Sequence, residues 1–124
     1  MKNFTHPIVF GLIGSSAQYS KLGKRFNAKF KSAKKQAVLL HFKVGKEHLK
    51  NIVKCMELMD VAGLIITGAH SKDIIRHLDG LNKSVGTNKG VNLIYRAAKR
   101  YFGFCSTDPI ADCLILASAH KRRK

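Results

Sequence analysis

Three short apolar runs alternate with amphipathic segments along this chain, and this alternation restricts its possible folds more than any other feature. The runs are PIVFGLIG at Pro7–Gly14, AVLLHFKV at Ala37–Val44 and AGLIIT at Ala62–Thr67. Continuous apolar runs of this length are typical of strands that are buried on both faces. Such strands occur in parallel sheets covered by helices. The alternation therefore predicts an α/β domain.

The segments between these runs have helical periodicity. In the first, over residues 21 to about 35, apolar side chains recur at intervals of four, at Leu22, Phe26 and Phe30. The preceding stretch, Ser15–Ser20, is expected to be a polar loop. The second helix has an apolar face made of Leu49, Ile52, Val53 and Met56. A third, short helix is expected to begin near Ser71.

The C-terminal third predicts a hairpin followed by a last helix. GVNLIY at Gly90–Tyr95 and RYFGFCS at Arg100–Ser106 are strands joined by a basic turn. Asp108 and Pro109 then provide a favourable N-cap and first helical residue. The order β-α-β-α-β-α-β-β-α predicts a single three-layer α/β/α domain with a mostly parallel, mixed sheet of about five to six strands. We expect this domain to occupy residues 1–120, with a basic tail at residues 121–124.

Polar segments follow several of these strands and are the best candidates for a site. They are Ser15–Ser20, Thr67–Lys72 and Ser106–Asp108. In open α/β sheets, ligands bind outside the carboxyl ends of the strands. We therefore expect these three segments to converge on a binding site.

Charge is the most unusual feature of the composition. The chain has 23 Lys and Arg against 7 Asp and Glu, a formal net charge of +16. A field of this sign attracts nucleic acid and small acidic ligands. Lys46, Lys50 and Lys54 recur at helical spacing, but the phenylalanines fall at core positions rather than between the lysines. We therefore expect a solvated basic surface, with nonspecific nucleic-acid affinity at low salt.

Several classes of protein and site are disfavoured. No apolar stretch approaches the roughly 20 residues that span a bilayer, so no membrane association is expected. Three cysteines without C-x-x-C spacing fit a reduced, cytoplasmic protein better than a disulfide scaffold. The six histidines have no metal-ligand spacing, so no metal site is expected. His70 lies in one of the polar segments and could face the site, but an exposed position is expected.

Taken together, the loop sequences resemble the substrate-binding domain of shikimate dehydrogenase. That family has a G-x-I-G strand, then an S-x-S motif and a helix carrying His-Asn. Here GLIGSSAQYSKLGKRFN places Ser20 and Leu22 at the two serines and Phe26-Asn27 at the His-Asn pair. The resemblance covers about Ile8–Ala117, nearly the whole chain.

The later family motifs are also degenerate here. Where the family has N-V-T-x-P-x-K, this chain has IITGAHS, which keeps Thr67 but has Ser71 at the catalytic lysine. VNL replaces V-N-T and keeps Asn92, and STD replaces N-T-D and keeps Asp108, with Ser106 at the asparagine. The resemblance implies a small hydroxylated carboxylate ligand held by Ser20, Thr67, Ser71, Asn92 and Asp108.

In the family, a lysine–aspartate pair handles the proton as hydride leaves for NADP. Asp108 would be a relic of that pair, and the Ser71 hydroxyl is too weak an acid to replace the lysine. Lys72 is adjacent, but one helical step turns a side chain by about 100°, so Lys72 is a poor substitute. No G-x-G-x-x-G fingerprint occurs in the 124 residues. We therefore expect no cofactor in this chain, and NADP only through a separate cofactor-binding protein.

Each site residue also has a purely structural interpretation. Asp108 fits an N-cap as well as a relic of the catalytic carboxylate, and for Ser71 the N-cap of the short helix is favoured. Asn92 could brace a loop, and Thr67 could be an ordinary β-branched strand residue. The favoured prediction is a shikimate-binding domain without catalysis of its own. The alternatives are one half of a split shikimate or quinate dehydrogenase, a pseudoenzyme partner, and a basic nucleic-acid-associated protein.

Overall fold

A computed structural model describes residues 7–68, 70–82 and 90–119 of this protein. The strands are β1 Ile8–Ile13, β2 Ala37–Phe42, β3 Val61–Ile66, β4 Gly80–Leu81, β5 Leu93–Ala97 and β6 Arg100–Phe104. The helices are α1 Ser16–Ser32, α2 Leu49–Leu58, α3 His70–Asp73 and α4 Pro109–Ala119, with 3₁₀ turns at Lys46–His48 and Ile74–His77. The predicted α/β architecture with a mixed sheet is confirmed. The predicted basic tail at residues 121–124 lies outside the described residues.

The sheet has the spatial order β2-β1-β3-β5-β6-β4. β1 lies between β2 and β3 and pairs in parallel with both. β5 pairs antiparallel with β3 and β6, and the short β4 pairs in parallel with β6. The carboxyl ends of β1 and β3 therefore lie at the same edge of the sheet as the start of β5. β6 also ends at this edge, since Phe104 pairs with Leu93, so all three predicted polar segments begin here.

Helices cover both faces of the sheet. Along β1, Phe10 and Leu12 face one apolar cluster and Ile13 faces the other, because successive strand residues point to opposite faces. Leu64 and Ile65 of β3 are divided in the same way. α1 and α4 contribute to the first cluster, and α2 contributes to the second. These are the three layers that the sequence predicts.

The phenylalanines of α1 occupy the core, as their spacing predicts. Phe26 is fully buried, and its ring centroid lies 5.6 Å from that of Phe10 and 4.2 Å from that of Phe30. These apolar contacts fix the helix against the first face of the sheet.

α1 begins earlier than predicted, and the predicted loop at Ser15–Ser20 is wrong. Ser15 is the N-cap: its Oγ accepts a hydrogen bond from the Gln18 N–H at 3.2 Å, and Gln18 Oε1 accepts one from the Ser15 N–H at 3.4 Å. This capping box satisfies two N–H groups that would otherwise lack partners at the start of the helix. The serine-rich run is therefore helical.

The C-terminal hairpin is confirmed with shifted bounds. β5 begins at Leu93 rather than Gly90, and β6 ends at Phe104 rather than Ser106. β4 was not predicted, since two residues are too few to carry a periodic signal. Among the described residues, no helix has both the length and the apolar character needed to cross a membrane.

Candidate functional site

The candidate site lies at the edge where β1 and β3 end and β5 begins. The Thr67 N–H, directly after β3, donates to Ile13 O at 2.9 Å. On the other side of β3, the Ile66 N–H donates to Asn92 O at 2.9 Å. The main chain therefore places Thr67 at the end of β3, with Asn92 beside that end on the β5 side.

The Thr67 side chain is engaged in bracing the first loop. It is half-buried, and its hydroxyl lies 3.2 Å from Ile13 O and forms a short hydrogen bond with Gln18 Oε1. A Cβ atom at position 14 would overlap with Thr67 Oγ1, so the contact requires Gly14. Sequence reasoning missed Gln18, although Ser15-x-x-Gln18 is the pattern of a capping box.

Asn92 braces the loop that follows β6. Its Nδ2 donates to Ser106 O at 2.7 Å, and its Oδ1 accepts from the Ser106 N–H at 2.6 Å. These two hydrogen bonds confirm that Asn92 braces the loop, which was one of its two predicted roles. One amide hydrogen and one oxygen lone pair are left for a ligand, so a ligand contact stays a prediction.

The Ser106 side chain continues this network into α4. Ser106 is buried, its hydroxyl donates to Asp112 Oδ2, and its Oγ accepts from the Asp108 N–H at 3.1 Å. Asp108 Oδ1 accepts from the Ala111 N–H at 3.2 Å, which confirms Asp108 as the N-cap of α4. The carboxylate of Asp108 is exposed. It can therefore cap the helix and face the site at the same time.

Ser71 does not cap a helix, and that prediction is wrong. α3 begins at His70, so Ser71 lies inside the helix, and Gly68 adopts a left-handed conformation with φ 76° shortly before it. The Ser71 N–H donates to Gly68 O at 3.3 Å, and Ser71 O accepts from the Val91 N–H at 2.9 Å. A Cβ atom at position 90 would overlap with Ser71, so Gly90 permits this approach. The second of these hydrogen bonds holds Ser71 next to Val91, the residue that precedes Asn92.

Ser20 and Lys72 remain outside this hydrogen-bond network. Ser20 is exposed on α1 instead of lying in a loop, and Lys72 is exposed on α3. In the part of the chain that the structure describes, no hydrogen bond or ion pair joins either side chain to Thr67, Asn92 or Asp108. The structure therefore connects Thr67, Ser71, Asn92 and Asp108, and leaves the other two candidates at the periphery.

His70 is half-buried, so its expected exposed position is wrong. Its Nδ1 is buried and has no hydrogen-bond partner among the described residues. The His70 Nδ1 atom therefore has hydrogen-bonding capacity that the described residues do not use.

The thiol of α4 and the possible metal ligands at this edge can each be assessed among the described residues. Cys113 of α4 is fully buried; burial raises the pKa of its thiol, and the Asp112 and Asp108 carboxylates raise it further. A thiol in this environment stays protonated and unreactive. Within residues 7–68, 70–82 and 90–119, no group of three or more His, Cys, Asp or Glu could hold a metal ion.

Comparison with known proteins identifies relatives of the chain. The family described as "Shikimate dehydrogenase substrate binding domain" matches residues 12–94. The shikimate dehydrogenase (NADP(+)) of Bacillus licheniformis is 28% identical over 96 residues, which cover 77% of this chain and 34% of that protein. That of Thermococcus kodakarensis is 30% identical over 95 residues, covering 77% of this chain and 35% of that protein.

A solved structure has the same fold. The crystal structure of a shikimate dehydrogenase in complex with NADP+ matches with a TM-score of 0.74 and 28% identity, covering 95% of this chain and 41% of that one. This chain spans about a third of the length of the curated relatives. Because the family match covers most of the chain and includes Thr67 and Asn92, this protein belongs to the family of shikimate dehydrogenase substrate-binding domains.

Proposed function

We propose that this domain binds a small hydroxylated carboxylate of the shikimate class at the sheet edge formed by Thr67, Asn92 and Asp108. The observation that carries the proposal is the family match over residues 12–94, which includes two of these three residues. The matched relatives are shikimate dehydrogenases by name. A net charge of +16 favours an acidic ligand.

Hydrogen-bonding capacity at this edge supports the proposal. Asn92 keeps one amide hydrogen beyond its two bonds to Ser106, and the exposed Asp108 carboxylate accepts hydroxyl donors. The Thr67 oxygen keeps a lone pair that a ligand hydroxyl can use. A polyhydroxylated ring offers both donors and acceptors to such side chains.

We propose binding without proton transfer by this domain. Ser71 stands where the family has its lysine, and an aliphatic hydroxyl is a poor acid at neutral pH. Lys72 is exposed on α3, and the described residues hold it in no contact with Asp108. Hydride transfer would also require a nicotinamide cofactor held by residues other than those of this domain.

Titration of shikimate into the protein, followed by amide chemical shifts, tests the proposal. Thr67→Val removes the hydroxyl at nearly constant volume, and Thr67→Ser keeps the hydroxyl as the matched control. We expect Thr67→Val to weaken binding by about tenfold, the size of one hydrogen bond to a polar ligand. Asp108→Asn keeps an efficient N-cap and removes only the charge, so its effect reports the ligand contact and not helix stability.

Saturable shifts confined to residues near Thr67 and Asn92, weakened in Thr67→Val and retained in Thr67→Ser, would support the proposal. The absence of saturation at about 10 mM shikimate, a binding free energy weaker than about −3 kcal/mol, would refute it. Equal affinities of Thr67→Val and the unmodified chain would place the ligand elsewhere.

A further inference from the structure

We propose that a basic cleft on the α2 face of the sheet binds the phosphate group of a small anion. The cleft lies between α2, the Ile74–His77 turn and the β5–β6 hairpin, and has a volume of about 600 Å³. The residues of this cleft that the argument uses are Lys50, Lys54, Arg76, His77, Lys99 and Tyr101.

The basic cleft is separate from the shikimate-class site. β5 runs antiparallel to β3, so the turn after Ala97 lies at the opposite edge of the sheet from Thr67. The turn residue Lys99 lines the cleft. Binding there therefore requires neither Thr67 nor Asn92, and the inference is independent of the proposed function.

Four cationic side chains from three separate elements converge on the cleft. Lys50 and Lys54 come from one face of α2, Arg76 from the 3₁₀ turn and Lys99 from the hairpin. Within the described residues, none of these four forms an ion pair with a carboxylate. Without a ligand, these charges repel one another.

One carboxylate lines the cleft, and it is already engaged. Asp79 Oδ2 accepts a hydrogen bond from the Tyr101 N–H at 2.7 Å. Among the residues that line the cleft, cationic side chains outnumber acidic ones by four to one, and the Glu57 carboxylate acts on Tyr101 from beside it. His77 reports the resulting field: burial lowers its pKa, and the nearby Arg76 and Lys50 lower that pKa further.

Lys99 occupies a backbone conformation that other residues adopt more readily. Ala98 and Lys99 form a two-residue turn with φ 50° and φ 67°. Both values are left-handed, and glycine or asparagine is preferred at such positions. A lysine at this position brings a cation to the cleft but makes the left-handed turn less stable than glycine would. Backbone strain of this kind is found preferentially at functional positions.

The chemistry of the cleft favours a phosphate group on a small molecule. Arg76 can hold two phosphate oxygens with its planar guanidinium, and lysines bind them as point charges. The volume lies within the range of small-molecule sites, roughly 300–1,000 Å³. A single-stranded nucleic acid would call for exposed aromatic rings that stack on bases, and Tyr101, the aromatic residue of this cleft, is half-buried.

The test is a titration of inorganic pyrophosphate into the 124-residue chain at low ionic strength, followed by calorimetry and amide chemical shifts. We expect Lys99→Gly to weaken pyrophosphate binding by about tenfold, the size of a charged hydrogen bond. Lys99→Gly also relaxes the left-handed turn, so a loss of binding would not result from unfolding. Ala98→Gly relaxes the same turn and keeps the cation, and it should bind as the unmodified chain does.

A second pair of variants separates the cleft from the general positive charge. Lys54→Gln removes a cation from the cleft, and Lys24→Gln removes one from the exposed surface of α1. We expect about a fivefold or greater loss of pyrophosphate affinity for Lys54→Gln and less than a twofold loss for Lys24→Gln, since α1 packs on the opposite face of the sheet from the cleft and Coulomb interactions weaken with distance. Ribose 5-phosphate in place of inorganic pyrophosphate distinguishes a site for organic phosphate esters from one for inorganic phosphates.

Pyrophosphate affinities within twofold of the unmodified chain for both Lys99→Gly and Lys54→Gln would overturn the proposal. A second result would also overturn the proposal: an oligonucleotide binds more tightly than pyrophosphate, and Lys24→Gln weakens its binding as much as Lys54→Gln does. The protein would then bind polyanions through its general positive surface and not through the cleft. Shikimate binding should be unchanged in Lys99→Gly, so failure of this proposal is distinguishable from failure of the proposed function.

Discussion

The side-chain amide of Asn92 makes the same pair of hydrogen bonds to Ser106 that the backbone of a neighbouring strand would make. Ser106 in turn accepts from the Asp108 N–H and donates to Asp112, so one side chain positions the whole segment that leads into α4. This dependence on a single residue makes the loop after β6 sensitive to small chemical changes. The proposed shikimate-class site would share that sensitivity, because Asp108 belongs to this segment.

Replacing Asn92 by aspartate tests this bracing role. Asn92→Asp keeps the shape but cannot donate to Ser106 O, which would then face a carboxylate. We expect the free energy of unfolding to fall by about 2–3 kcal/mol, measured by urea denaturation. Asn51→Asp, at an exposed position of α2, is the matched control and should stay within about 0.5 kcal/mol of the unmodified chain. Equal stability of the two variants would contradict the bracing role.

Among the elements, the β5–β6 hairpin is closed by a turn with unfavourable residues. Its two turn residues, Ala98 and Lys99, are both left-handed, at φ 50° and φ 67°. A left-handed conformation costs a non-glycine residue roughly 1–2 kcal/mol. The hairpin forms nevertheless because β5 and β6 pair through all five residues of each strand, from Leu93↔Phe104 to Ala97↔Arg100.

Converting this turn to Asn-Gly should stabilise the protein. The double variant Ala98→Asn, Lys99→Gly places the preferred residues of a type I′ turn at both positions. We expect the free energy of unfolding to rise by about 1–2 kcal/mol, measured by thermal and urea denaturation. Ala98→Pro should do the opposite, because proline fixes φ near −65°. A stabilised Ala98→Pro variant would show that the turn is not left-handed in solution.

For the molecule as a whole, the excess of positive charge has consequences for stability at low pH. His77 lies beside Arg76 and Lys50, and its folded pKa is lower than the ordinary value of 6.5, first through burial and then through these cations. Its contribution to stability is therefore present in full above about pH 6.5. It is lost as the pH falls through the lower folded pKa, because the unfolded chain then binds the proton more readily.

We accordingly expect the free energy of unfolding to decrease between about pH 7.5 and pH 5, and His77→Gln to reduce that decrease. At about pH 7.5 the two proteins should differ little, since His77 is then neutral in both the folded and unfolded states. Urea denaturation at a series of pH values measures both effects. An identical pH dependence of the two proteins would show that His77 is not perturbed by its cationic neighbours.

Signals carried within one segment were sufficient for many of the predictions. The three apolar runs predicted three parallel strands, and Asp108-Pro109 predicted the start of α4 correctly, since caps and strand periodicity depend on neighbouring residues. The start of α1 was missed although its capping box was present in the sequence at Ser15 and Gln18. The start of α3 was predicted to within one residue, but Ser71 lies inside the helix rather than at its N-cap.

The sequence by itself determined the fold class, the strand and helix order and the family of this protein, because periodicity, capping and motif order are properties of short segments. Only the tertiary structure decided which side chains meet. Gln18 reaches Thr67, and Lys50, Arg76 and Lys99 line one cleft, although each set comes from separate elements. Such contacts depend on how the helices pack on the sheet, and packing is set by the whole core rather than by any one segment.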